Sequence, residues 1–124
     1  MNIVDSSGWL EYFADGPNAS IFAPVINKTT ELVVPALSVF EVFKRIYLQR
    51  GESEALMAAA LMQQGRVVEL DVTLALSAAK LSAETKLPMA DSIILATARA
   101  EGAILWTQDI DFAGMEGVRY FPPR

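Results

Sequence analysis

Four carboxylates stand at places where a chain could use them for chemistry. Asp5 follows the apolar pair Ile3-Val4, Glu41 lies in Ser38-Val39-Phe40-Glu41-Val42, Asp91 opens a helix-forming run after Pro88, and Asp109 sits in Thr107-Gln108-Asp109-Ile110-Asp111-Phe112. The chain contains no His and no Cys. That removes the Ser-His-Asp triad, the thiol nucleophile and every His- or Cys-ligated metal site. Proton transfer and metal ligation then fall to the 15 Asp and Glu. Each acid alone has an ordinary explanation. Asp5, Asp91 and Asp109 could be helix N-caps, and Glu41 could be the N3 partner of Ser38 in a capping box. Gathering all four costs more than capping returns. At 5 Å and an effective dielectric near 20, each ionised pair repels by about 3 kcal/mol. A cation offsets that repulsion, and an all-oxygen donor set favours a hard ion, Mg²⁺ or Mn²⁺. Such an ion polarises a phosphate, stabilises a leaving oxygen and lowers the pKa of an attacking water.

The elements that must position these acids follow from the pattern of apolar residues. A chain of 124 residues is expected to form one domain, spanning 1–124. At 52% hydrophobic and 20% charged residues it is not a disordered chain. Strands are expected at Ile3-Val4, Leu32-Val33-Val34, Val67-Val68-Glu69-Leu70, Ala103-Ile104-Leu105-Trp106 and Val118-Arg119-Tyr120-Phe121. Between them lie helical spacings. They carry Trp9 to Phe13, Ile21 to Ile26, Val39 to Tyr47 with Ser38 as the cap, and residues 52–64, 72–87 and 91–101. Short, almost wholly apolar strands alternating with helices predict an α/β three-layer sandwich, a parallel sheet covered on both faces. In such sheets ligands bind outside the carboxyl ends of the strands, where all four acids are expected to project. The longest apolar run, residues 55–62, falls short of the roughly 20 a membrane span requires. No basic stretch precedes the first apolar residues, so a cytoplasmic location with no membrane partner is expected.

The same residues carry a family resemblance. The chain resembles the PIN-domain ribonucleases, in particular the VapC toxins of VapBC toxin–antitoxin pairs. The likeness rests on Val4-Asp5-Ser6-Ser7, Ser38-Val39-Phe40-Glu41-Val42, Asp91-Ser92-Ile93-Ile94-Leu95-Ala96-Thr97-Ala98 and Thr107-Gln108-Asp109-Ile110-Asp111-Phe112. The last two segments are the specific ones, and the match runs nearly end to end. The resemblance implies a five-stranded parallel sheet and makes Asp5, Glu41, Asp91 and Asp109 the acidic metal ligands and catalytic residues. Thr107 matches the polar residue beside the metal, and Asp111 a second, less central acid. It further implies Mg²⁺- or Mn²⁺-dependent endonucleolytic cleavage of RNA, with tRNA or rRNA as the target and translation as the process inhibited. It implies a homodimer, and a VapB-like antitoxin whose tail fills the active-site groove.

The net charge of −5 is unusual for an RNA enzyme, but setting aside the four ligands leaves the rest of the chain close to neutral. Lys44 and Arg45 stand three and four residues after Glu41, on its helix face. They could reach substrate phosphate, or they could pair with Glu41. Arg50 and Arg99 are weaker candidates for the same contact. Trp9, Tyr12 and Phe13 at helical spacing read as core, with base stacking or an antitoxin contact as the other use. Residues 55–62 are apolar on every side, so a subunit or antitoxin interface is expected there.

Three other functions compete. A phosphoacceptor receiver domain fits the length and the position of Asp71, but lacks the acidic pair after the first strand and a Lys after the last. A haloacid-dehalogenase-type phosphatase would need the Asp109-Ile110-Asp111 pair near the start of the fold. A PIN-fold module that binds without cutting has the same residues and is separated only by activity.

Overall fold

The computed structural model describes residues 1–124. In chain order the elements are β1 (Asn2–Val4), α1 (Ser6–Phe13), α2 (Ala19–Asn27), β2 (Val33–Pro35), α3 (Ala36–Arg50), α4 (Glu52–Met62), β3 (Arg66–Val68), α5 (Val72–Thr85), α6 (Met89–Ala100), β4 (Ile104–Thr107) and β5 (Val118–Tyr120). Two 3₁₀ turns, Thr29–Glu31 and Ile110–Phe112, precede β2 and follow β4.

All strand pairings are parallel. β4 lies between β1 and β5, with Ile3 opposite Leu105 and Leu105 opposite Val118, and β2 pairs with β3 through Val34 and Val67. The two ladders meet at one bridge, Asn2 to Leu32, so the strand order across the five-stranded sheet is β3-β2-β1-β4-β5. The chain leaves β1 towards β2 and β3, then returns to build β4 on its other side. The switch in direction lies between β1 and β4, the crevice where open α/β sheets bind ligands.

Alternation along these strands of three or four residues divides the core. Ile3, Val33 and Leu105 face α5 and α6, where Leu74, Ala78, Leu81, Ile94 and Leu95 meet them. Val4 and Val34 face the other way, into Trp9, Phe22, Ile26, Val42, Ile46, Ala58 and Met62 of α1 to α4. Successive strand residues point to opposite faces, so two adjacent valines or an Ile-Val pair serve both layers. This is the three-layer α/β sandwich expected from the pattern.

Several local boundaries differ from the sequence reading. α3 begins at Ala36, directly after Pro35 and two residues before Ser38. Ser38 is therefore inside the first turn, buried, with its hydroxyl unpaired, and no capping box with Glu41 forms. α6 likewise starts at Met89 behind Pro88, which places Asp91 in the first turn and not at the cap. Proline suits the start of a helix because its missing N–H falls where no intrahelical partner exists. Asp71 caps α5, its Oδ1 accepting from the Leu74 amide at 2.8 Å. α4 is not apolar towards a partner on all sides. Ala55, Ala58, Ala59 and Met62 are buried in the chain's own core, which leaves Leu56, Met57 and Ala60 as its well-exposed apolar residues.

Gly8 sets how closely α1 approaches β1, and therefore where Asp5, Ser6 and Ser7 stand. A Cβ at position 8 would lie 2.7 Å from Val4 Cγ1 and 2.9 Å from the Phe22 ring. Gly8→Ala should destabilise the protein by about 1–3 kcal/mol through overpacking, despite the better helix propensity of Ala. An unchanged midpoint in urea denaturation would show that α1 is not held at that distance.

Candidate functional site

Asp5 is the hinge of the site. It ends β1 and caps α1, and it is buried. Its Oδ2 accepts from Thr107 Oγ1 at 3.0 Å and from Ser7 Oγ at 2.8 Å. Thr107, fully buried at the end of β4, also accepts from the Asp109 amide at 2.9 Å. One hydroxyl thus fixes the acids at the ends of two neighbouring strands. Ser7 Oγ accepts in turn from the Gln108 amide at 3.3 Å, which ties the start of α1 to the turn after β4. Asp109 caps the 3₁₀ turn, its Oδ1 taking the Asp111 amide at 2.9 Å.

Glu41 enters from α3, half-buried, with Oε1 accepting from Ser6 Oγ at 2.7 Å. Asp91 enters from the first turn of α6. Carboxylate oxygens of Asp91, Asp109 and Asp111 lie within 4.8 Å of one another. Asp5, Glu41, Asp91 and Asp109 line one groove of about 420 Å³, together with Ser6, Ser7, Phe40, Lys44, Arg45 and Leu48. All four sequence-derived acids therefore reach one groove. The tight group, however, contains Asp111, which the sequence reading ranked as peripheral. The Asp-x-Asp spacing is the signal for it, because Asp109 caps the 3₁₀ turn by accepting from the Asp111 amide, which holds the two acids side by side. Ser6 and Ser7 were readable only as part of a motif; their bonds to Glu41 and Asp5 depend on the α1–α3 and β1–β4 neighbourhoods.

The carboxyls share one electrostatic bias. Burial raises Asp5 above the ordinary 3.8, against the opposing hydrogen bonds from Ser7 and Thr107. Glu41 is raised by burial first, with Asp5 adding to it and the Ser6 hydroxyl working against it. Asp91 is pushed up to about 7, by burial and then by the charges of Asp5, Asp109, Asp111 and Glu41. Its carboxylate has no hydrogen bond or ion pair in the chain. Lys44 and Arg45 are exposed and form no ion pair with Glu41. The pairing alternative for these two cations is not realised, and both stand along the groove. Arg50 pairs instead with Glu54 at 3.4 Å, and Arg66 with Glu101, while Arg99 is exposed. A set of oxygen donors that repel one another, with no internal cation to neutralise them, fits a hard divalent ion.

A second, larger groove of about 750 Å³ runs between α1, α3 and α4. Leu10, Phe13, Ile46, Met57 and Leu61 give it an apolar floor, and Glu11, Arg50 and Glu54 stand among its walls. Ser7, Leu10 and Arg45 border both grooves, so the two are continuous. Trp9 is core, fully buried and stacked on Phe13 with ring centroids 5.8 Å apart. Asp71, required by the receiver reading, borders neither groove.

A family model described as PIN domain matches residues 3–118. No curated protein matches the chain. Among solved structures it is similar to a toxin-antitoxin complex from Klebsiella pneumoniae, with a TM-score of 0.82 at 22% identity over 98% of this chain and 99% of that one. It is similar to VapC20 of Mycobacterium tuberculosis, described as a Sarcin-Ricin loop cleaving toxin, with a TM-score of 0.74 at 20% identity over 96% and 99%. DNA-bound VapBC from Salmonella typhimurium gives a TM-score of 0.74 at 14% identity over 98% of each chain.

The raised acid at position 91 makes metal-free stability depend on pH. A carboxyl with a folded-state pKa near 7 and an ordinary value of 3.8 favours the folded state while it is protonated. That contribution is full below 3.8 and is lost as the pH rises through about 7. In EDTA, the urea midpoint should fall between pH 5 and pH 8. Asp91→Asn should flatten this slope and leave the apo protein at pH 8 more stable by about 1–2 kcal/mol, after solvent screening of a half-exposed group is allowed for. A midpoint that rises across this range, or a variant less stable than wild type, would contradict an uncompensated cluster.

Proposed function

The chain belongs to the PIN domain family, and from that premise we propose that it is a VapC-like endoribonuclease toxin, dependent on Mg²⁺ or Mn²⁺, that cleaves RNA. The observation that carries this reading is the meeting of Asp91, Asp109 and Asp111 within 4.8 Å beside Asp5 and Glu41, without an internal countercharge. Asp5, Glu41, Asp91 and Asp109 would hold the ion, with Asp111 beside them. The ion, when bound, supplies Lewis-acid polarisation of the phosphate and a lowered pKa for the attacking water. The chain's own residues do the rest. Thr107 and Ser7 hold Asp5 Oδ2, so that carboxylate enters the groove already oriented. Ser6 fixes Glu41 in the same way. Lys44 and Arg45 border the groove free of acidic partners, placed to take the non-bridging oxygens of the RNA backbone.

The target is tRNA or rRNA and the outcome inhibited translation in the cytoplasm, in keeping with the description of the similar VapC20 as cleaving the Sarcin-Ricin loop. No helix is long and apolar enough to cross a membrane. The larger groove suits a VapB-like antitoxin. Its apolar floor accepts one face of a helix or strand, and its continuity with the acidic groove lets the following residues run across the site. The homodimer needs a different apolar face, and α5 offers one. Val72, Ala75, Leu76 and Ala79 are exposed, and no charged residue occurs from Val72 to Ala79.

With Mg²⁺ or Mn²⁺ the purified protein should cleave cellular tRNA or rRNA, and EDTA should abolish the cleavage. Asp5→Asn, Glu41→Gln, Asp91→Asn and Asp109→Asn should each lower the rate at least about 100-fold, the scale seen when one electrostatic stabiliser is lost; Asp111→Asn should cost less. Near-normal turnover by Asp91→Asn would refute the site. Folded protein that binds RNA but cuts none with either metal would instead be a binding module.

Met57, 70% exposed at the larger groove, separates the two protein contacts. Met57→Glu should weaken capture of a cognate VapB-like antitoxin at least about tenfold, as expected for a charge placed on an apolar contact. The same variant should remain dimeric in analytical ultracentrifugation. Loss of the dimer with antitoxin binding intact would assign α4 to the subunit interface.

A further inference from the structure

Phe40 is the residue before Glu41 on α3, and its side chain is 62% exposed on the wall of the acidic groove. The other five phenylalanines are accounted for. Phe112 is buried, and Phe13, Phe22, Phe43 and Phe121 each pair with another ring. Phe40 alone is exposed, unpaired and at the site. Along α3 it forms one file with Lys44 and Leu48, spaced four residues apart, and all three line the same groove. The file therefore reads aromatic, cationic, apolar beside the acids.

This arrangement addresses a difficulty that the acids create. A nucleic acid is held largely through its phosphates, and the electrostatic part of that affinity comes from cations. Here the groove gathers four carboxylates against Lys44 and Arg45, in a chain of net charge −5. Beyond the proposed ion and these two cations, a contact that does not depend on charge would add to binding. A nucleobase stacked on an aromatic ring is such a contact, worth about 1–3 kcal/mol per base and tolerant of sequence. Only an unpaired or splayed base exposes a face for it. Resting on the nuclease reading, we infer that Phe40 is the base-stacking platform of the groove, seating one unpaired nucleobase next to the scissile phosphodiester while Lys44 takes an adjacent phosphate. Phe40 thereby selects single-stranded or looped RNA over duplex.

The test uses full-length protein with Mn²⁺, cellular tRNA and rRNA to map the cut, and a hairpin oligoribonucleotide spanning the mapped position. Phe40→Ala should lower kcat/KM on the hairpin by about 5- to 150-fold, the range corresponding to loss of one stacked base. Phe40→Trp should restore most of it, and Phe40→Leu, apolar but without a ring, should not. Replacing one nucleotide beside the cut by an abasic residue should cost wild type a similar factor and cost Phe40→Ala little. Equal rescue by Leu and Trp would overturn the inference while leaving the nuclease intact, as would undiminished cleavage by Phe40→Ala. An Ala variant that cuts normally but loses its dimer or its antitoxin would place Phe40 in a protein interface. If wild type cuts no RNA with either metal, the nuclease reading fails, and the stacking role fails with it.

Discussion

Carboxylates that repel one another are held together here by neutral hydroxyls. Thr107, Ser7 and Ser6 orient Asp5 and Glu41 without contributing any positive charge, and Asp91 has no partner at all. A lysine or arginine in the same places would stabilise the empty fold and would also compete with a metal for the oxygens. Hydroxyls hold the geometry and leave the charge unneutralised. The remaining architecture can be read as what is needed to maintain that condition. Two adjacent parallel strands end side by side, two helices begin at their acids, and the core on both faces carries the energetic deficit of the site.

The fold was legible because its strands are short and apolar and are separated by clear helical spacings. Each acid was legible from its position after a strand or near a helix start. Ser38 shows where such reading fails. Ser followed by Glu at the third position matches a capping box, but Pro35 lets the helix begin earlier, and the signal cannot report which start prevails. Asp111 shows a second limit. Its membership of the tight trio depends on how a 3₁₀ turn meets the first turn of α6, a relation across twenty residues of sequence. The helix at 52–62 shows a third. Hydrophobicity on all sides cannot distinguish burial against α3 from burial against another chain, and its alanines turned out to serve the chain's own core.

The shared border of the two grooves links the protein's proposed partners. Arg45 belongs to both linings, so a segment lying along α1, α3 and α4 reaches the residues that would meet a phosphate. On the proposed reading, neutralisation by an antitoxin would then require no change of shape in this chain. Occupation of an apolar floor positions a tail over the acids, and the same cation can serve substrate or inhibitor but not both.

The single bridge between Asn2 and Leu32 has a mechanical consequence. Within each ladder, neighbouring strands are tied by successive backbone hydrogen bonds; across the β1–β2 seam there is almost nothing of the kind. Asp5, Asp109 and Asp111 belong to one side of this seam, and Glu41, Phe40 and Lys44, carried on α3 after β2, belong to the other. The two walls of the acidic groove are thus mounted on separately laced panels, joined by the hydrogen bond from Ser6 to Glu41 and by the cores that Ile3 and Val33 share on one face and Val4 and Val34 on the other. Across this seam the spacing of the two walls therefore rests on side-chain packing and one hydroxyl, where within each panel it rests on a backbone ladder.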